Sequence, residues 1–103
     1  MPTYNKLVRD RIPEIIEAQG KMVKARTLDD SEYLEALIEK VSEELAEFKA
    51  EPSAEELADL QEVLLALADA LSISHEELEK VRVAKATKRG AFKDKIFLVE
   101  ADK

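Results

Sequence analysis

The chain has 103 residues, a net charge of −7, no cysteine and a single histidine, His75. That length holds one domain with a modest core. It excludes disulfides, zinc–thiolate sites and thiol nucleophiles, and makes Ser-His-Asp catalysis a poor fit. The acidic balance also argues against duplex nucleic acid or an anionic membrane as the main partner.

Only two glycines and three prolines punctuate the sequence, which favours long helices. Asp10 can cap a first helix, with Pro13 in its opening turn and Gly20 supplying a left-handed stop. Met22 to Leu28 then alternates apolar and polar residues, as an extended segment does. Asp29-x-x-Glu32 opens a second helix that runs to about Ala50. Its stripe of Leu34, Leu37, Ile38, Val41, Leu45 and Phe48 has helical spacing, and Lys40, Glu44, Glu47 and Glu51 form a polar line beside it.

Ser53 opens a third helix through about Leu71, and Ser53-x-x-Glu56 matches a capping box. Val63 to Ala68 contains no polar residue, so a single small bundle can hardly cover this helix. A second copy of the chain is the expected cover, most simply as a twofold dimer. Ser74-x-x-Glu77 caps a fourth helix that ends near Gly90. Ile96 to Val99 is β-prone and can pair with Met22–Leu28 as a short two-stranded ribbon. The expected fold is an all-α antiparallel bundle of about four helices, as one domain over residues 1–103. No apolar run approaches the roughly 20 residues of a membrane span, and no signal-peptide pattern opens the chain, so a cytoplasmic location is expected.

Two carboxylate pairs carry the chemistry. Glu44 and Glu47 share a face of the second helix, and Glu56 and Asp59 share a face of the third. The connection between the helices is short, so they should run antiparallel, and all four acids fall within roughly 10 Å of the hairpin tip. Random acidic pairs are common in a chain with 23 acidic residues, but they need not match in level. Four converging carboxylates cannot all stay charged and buried without a cation between them. Mg²⁺ suits an all-oxygen set and shares its shell with water and substrate phosphates. Two basic groups stand out in the acidic chain. Lys6, Arg9 and Arg11 sit where the first helix dipole disfavours positive charge. Lys85, Lys88 and Arg89 lie where the fourth helix dipole favours it, and both groups can hold phosphates.

Glu43-Glu44-x-x-Glu47 followed by Glu56-x-x-Asp59 resembles the E-E-x-x-E…E-x-x-D signature of MazG-like pyrophosphohydrolases, an all-α superfamily. Tyr4-Asn5-Lys6-Leu7-Val8-Arg9-Asp10-Arg11-Ile12-Pro13 and Lys88-Arg89-Gly90-Ala91-Phe92 are similar to a small branch described as phosphoribosyl-ATP pyrophosphohydrolase-like. The similarity spans nearly the whole chain. It implies Mg²⁺-dependent cleavage of a nucleoside triphosphate between its α and β phosphates, giving monophosphate and pyrophosphate. House-cleaning of non-canonical nucleotides is one role that it implies, and phosphoribosyl-ATP hydrolysis in histidine synthesis is another. By position, Glu44, Glu47, Glu56 and Asp59 would be metal ligands, with Glu47 or Glu44 also serving catalysis. Lys6, Arg9, Lys85, Lys88 and Arg89 would bind substrate phosphates. Glu43 belongs to the motif, but its place on the helix points it away from the core face. Eight residues separate Glu47 from Glu56, fewer than is usual in MazG proteins. The rival expectation is a catalytically silent helical dimer that senses nucleotides or mediates interactions.

Overall fold

The protein is described by a computed structural model covering residues 2–103. Four helices follow one another: α1 (Ile12–Ala18), α2 (Asp30–Ala50), α3 (Ala54–Ala70) and α4 (His75–Arg89). There is no strand among the described residues. Met22–Leu28 and Ile96–Val99 are therefore both unpaired, and the expected ribbon does not form within one chain.

Local chemistry sets the helix ends. The Asp29 carboxylate accepts from the Glu32 amide while the Glu32 side chain accepts from the Asp29 amide, closing a capping box on α2. The Ser53 and Ser74 hydroxyls accept from the Glu56 and Glu77 amides and so start α3 and α4. α1 differs from expectation. Its N-cap is Arg11, with no side-chain bond to a free amide, and not Asp10. The Ile12 amide donates instead to the Arg9 carbonyl at 3.1 Å, so the turn closes one residue later than an Asp10 cap requires.

Two helices stop in the same way. After α1, the Lys21 amide reaches back to the Ile16 carbonyl and the Gly20 amide to Glu17, with Gly20 at φ +78°. After α3, Ile73 donates to Ala68 and Ser72 to Asp69, with Ser72 at φ +59°. Both are Schellman closures, and only the first has the glycine that the left-handed position favours. Gly90 ends α4 at φ +87° and ψ 169°, a region open only to glycine.

The α2–α3 hairpin is the heart of the molecule. Three residues, Glu51-Pro52-Ser53, join two long helices and force them to run side by side in opposite directions. Pro52 disfavours helical geometry at Glu51, which ends α2 there. Leu37 from α2 and Ala68 from α3 are the buried apolar residues among those described. α4 packs on α3 alone, and α1 packs closely on none of the other helices.

The single chain is far from compact. Its radius of gyration is 18.0 Å, against about 13 Å for a compact domain of this length. Its accessible surface is 9542 Å², against about 5,800 Å² for a folded monomer of this mass. Much of the excess is apolar. Ile38 and Leu45 on α2, Leu57 and Leu64 on α3, and Leu71 at the C-cap of α3 are exposed, at intervals of seven residues on each helix. Phe92, Ile96, Phe97, Leu98 and Val99 are exposed beyond α4. None of the four helices is long and apolar enough to cross a membrane.

Candidate metal centre

Glu44, Glu56 and Asp59 meet across the hairpin. One carboxylate oxygen from each lies within 4.8 Å of the other two. Glu44 sits seven residues before the C-cap of α2, and Glu56 and Asp59 sit in the first two turns of α3, so the tight connector brings them to one level. Glu44 is buried, at 8% exposure. One of its oxygens lies 3.5 Å from the Lys40 ammonium, while Oε2 is buried with no hydrogen-bond partner.

Glu56 is a second frustrated carboxylate. The capping box expected from Ser53-x-x-Glu56 is half formed: Ser53 accepts from the Glu56 amide, but the Glu56 side chain does not reach back. It turns into the acidic cluster, where Oε2 is buried and unpartnered. Desolvation pushes the Glu56 carboxyl above the ordinary glutamate value, and the charges of Glu47, Asp59, Glu51 and Glu55 push it the same way. Glu44 is raised likewise, first by burial and then by neighbouring Glu47, with Lys40 opposing. Each carboxyl holds its proton more tightly than it would in water because burial strips its hydration and like charge stands beside it.

Glu47 flanks this trio. It is exposed, and its charge reaches both Glu44 and Glu56, but its oxygens stand outside the 4.8 Å group. Glu43 faces two ammonium groups, Lys40 at 3.2 Å and Lys6 at 3.7 Å. Lys40 thus pairs with both Glu43 and Glu44, as its three- and four-residue spacings on one helix allow.

The N-terminal basic residues separate into two groups. Arg11 pairs locally with Glu14 at 3.3 Å. Lys6 and Arg9 instead cross to the hairpin, and Arg9 Nη2 donates to Asp59 Oδ1 at 2.6 Å. Lys85, Lys88 and Arg89 lie on the last two turns of α4, exposed, and no hydrogen bond or ion pair links them to the carboxylates within one chain. His75 opens α4 and lies 3.0 Å from Asp69 at the end of α3.

The donor set fits a hard divalent cation. It is all oxygen, it combines carboxylates from two rigid helices, and two of its buried oxygens lack any partner. The Asp59 side chain is 39% exposed, so the group is open to solvent on that side.

No family model matches the chain. No solved structure matches it either. It is similar to an uncharacterized protein of Mycolicibacterium smegmatis, 56% identical over 45 residues, which is 44% of this chain and 46% of the relative. The match thus spans about half the length of the curated relative.

Proposed function

We propose that the protein is a Mg²⁺-dependent nucleoside triphosphate pyrophosphohydrolase that releases monophosphate and pyrophosphate. The observation that carries this reading is Glu44, a buried carboxylate with an unpartnered oxygen, grouped with Glu56 and Asp59 across a rigid hairpin. Burying an oxygen without a partner destabilises the fold, so the position of Glu44 Oε2 favours a ligand that satisfies it. Glu44, Glu56 and Asp59 would hold the ion, with Glu47 beside them. A bound Mg²⁺ would supply charge neutralisation for the phosphates and acidify an attacking water. Glu47 is exposed and only partly engaged, which suits it to take that water's proton. From the N-terminal segment Arg9 reaches the cluster at Asp59 and Lys6 reaches Glu43 beside it, and both would bind phosphate oxygens that the carboxylates repel.

The same reading includes a second copy of the chain. The surface excess of roughly 3,700 Å² over a compact monomer exceeds the roughly 1,000–2,500 Å² that each protomer of an obligate dimer buries, so it leaves ample surface for a partner copy to cover. The heptad-spaced Ile38 and Leu45, with Leu57, Leu64 and Leu71, suit a helical seam against an identical hairpin. Lys85, Lys88 and Arg89, remote from their own chain's carboxylates in contacts, would then serve a neighbouring site.

The test is product analysis with purified protein, Mg²⁺ and a panel containing ATP, dUTP, ITP, oxidised nucleotides and phosphoribosyl-ATP. Pyrophosphate plus monophosphate, abolished by EDTA and by Asp59→Asn, is expected. Orthophosphate plus diphosphate overturns the proposed cleavage position. Nucleotide binding without turnover overturns the enzyme reading in favour of a sensing module.

A further inference from the structure

The acidic cluster carries two built-in cations of opposite character. Lys40 approaches Glu44 on the buried side, with its side chain 14% exposed. Arg9 approaches Asp59 on the open side, where the arginine is 57% and the aspartate 39% exposed. An ion pair in contact with water is worth little, so the Arg9–Asp59 contact is cheap to break. Lys40 sits on the same helix as Glu44, one turn away, and has no comparable freedom to leave. Arg9 belongs to a segment without helix or strand, tied to the body by the Lys6–Glu43 contact and by its carbonyl bond from the Ile12 amide.

We propose that Arg9 is a removable counter-cation of the carboxylate cluster: a divalent cation takes its place at Asp59, and the released guanidinium then clasps a phosphate of the substrate. The proposal rests on the reading that Glu44, Glu56 and Asp59 bind a divalent cation. A cation held by the Asp59 carboxylate draws its negative charge away from the Nη2 donor, which stands 2.6 Å from Oδ1, and so weakens that contact. Repulsion between guanidinium and metal favours separation, and the incoming phosphate offers Arg9 a bidentate acceptor of higher charge. Metal thus converts Arg9 from an internal plug into a substrate contact. Without metal the same residue keeps the acidic site from remaining uncompensated. Loading order follows: metal before or with nucleotide, because free nucleotide meets an acidic cluster whose one accessible arginine is occupied.

The experiment titrates Mn²⁺ into wild type, Arg9→Ala, Arg9→Lys and Asp59→Asn, following free Mn²⁺ by electron paramagnetic resonance, with circular dichroism melts to check folding. Alongside it, the Arg9 Nε–Hε NMR signal is followed during Mg²⁺ addition and then addition of a non-hydrolysable α,β-methylene triphosphate. Removing Arg9 should tighten Mn²⁺ binding roughly threefold to tenfold and weaken metal-dependent nucleotide binding by about tenfold. Arg9→Lys should fall between, since lysine keeps the charge and loses the fork. The Arg9 signal should move toward a mobile position with Mg²⁺ and shift again with nucleotide. Unchanged or weaker Mn²⁺ binding in a folded Arg9→Ala protein overturns the exchange while leaving the metal site standing. Absence of Mn²⁺ binding in wild type and Arg9→Ala alike overturns the metal site itself, and the exchange with it.

Discussion

Replacing Glu44 with glutamine should stabilise the metal-free protein, although it removes a buried ion-pair partner. Glu44 faces two carboxylates within 4.8 Å and one ammonium at 3.5 Å. At 4.8 Å each repulsion is at least about 0.9 kcal/mol at the dielectric of water and about 3.5 kcal/mol at an effective value near 20. The Lys40 attraction on the same scale is about 1.2 to 4.7 kcal/mol. The two repulsions outweigh the one attraction by about 0.5 to 2 kcal/mol. Arg9 offsets part of the Asp59 charge, Glu47 adds a repulsion of its own, and desolvation of the charge acts in the same direction as the repulsions. Neutralisation should therefore raise stability in EDTA by about 1 kcal/mol, which moves the melting temperature up by about 4–8 °C for a domain of this size. Circular dichroism melts at one fixed protein concentration measure this, since association with a partner copy makes the midpoint concentration-dependent. Added Mg²⁺ should reverse the ranking. Wild type gains about 2.7 kcal/mol when Mg²⁺ stands at a hundred times its dissociation constant, and the glutamine variant gains little. A Glu44→Gln protein that melts below wild type in EDTA would refute the reasoning, because Glu44 would then be a structural partner of Lys40.

Asp59→Asn and Glu56→Gln should each lower Mg²⁺-dependent turnover by at least about 100-fold, read as pyrophosphate release, since each deletes a charge from the ligand set. Glu44 and Glu56 hold their protons more tightly in the folded protein than in the unfolded chain. Their contribution to metal-free stability is therefore fully present below the ordinary glutamate value and is lost as pH rises through their raised values. Urea midpoints in EDTA should rise on mild acidification from neutrality, more in wild type than in Glu44→Gln. In Mg²⁺ they should fall, because protons compete with the metal. Ser53→Ala removes the N-cap of α3 and should cost about 1 kcal/mol in urea unfolding. Ser72→Gly relieves a left-handed non-glycine residue and should add about 1 kcal/mol, and an unchanged midpoint would show that Ser72 bears no strain there.

Local signals in the sequence locate the helices well. The caps at Asp29, Ser53 and Ser74, and the stop at Gly20, depend on residues three or four apart, so the chain's own spacing exposes them. The level match of Glu44 with Glu56 and Asp59 was legible for the same reason, given a short connector. What was not legible depends on competition between local and distant partners. Glu56 can close a capping box or enter the cluster, and only the packed hairpin decides for the cluster. Arg9 meets Asp59 across fifty positions of sequence, so no periodicity marks the pair. The extended stretches at 22–28 and 96–99 have strand composition, but a strand needs an edge to pair with, and one chain offers none.

The three clustered carboxylates all come from residues 44–59, sixteen consecutive positions that include the connector. Each residue inserted or removed between the Ser53 cap and Glu56 rotates Glu56 and Asp59 by about 100° relative to the cap. The cluster is thus indexed by helix register as firmly as by side-chain identity, and a duplication, fusion or graft that keeps this helical hairpin in register carries the three carboxylates with it.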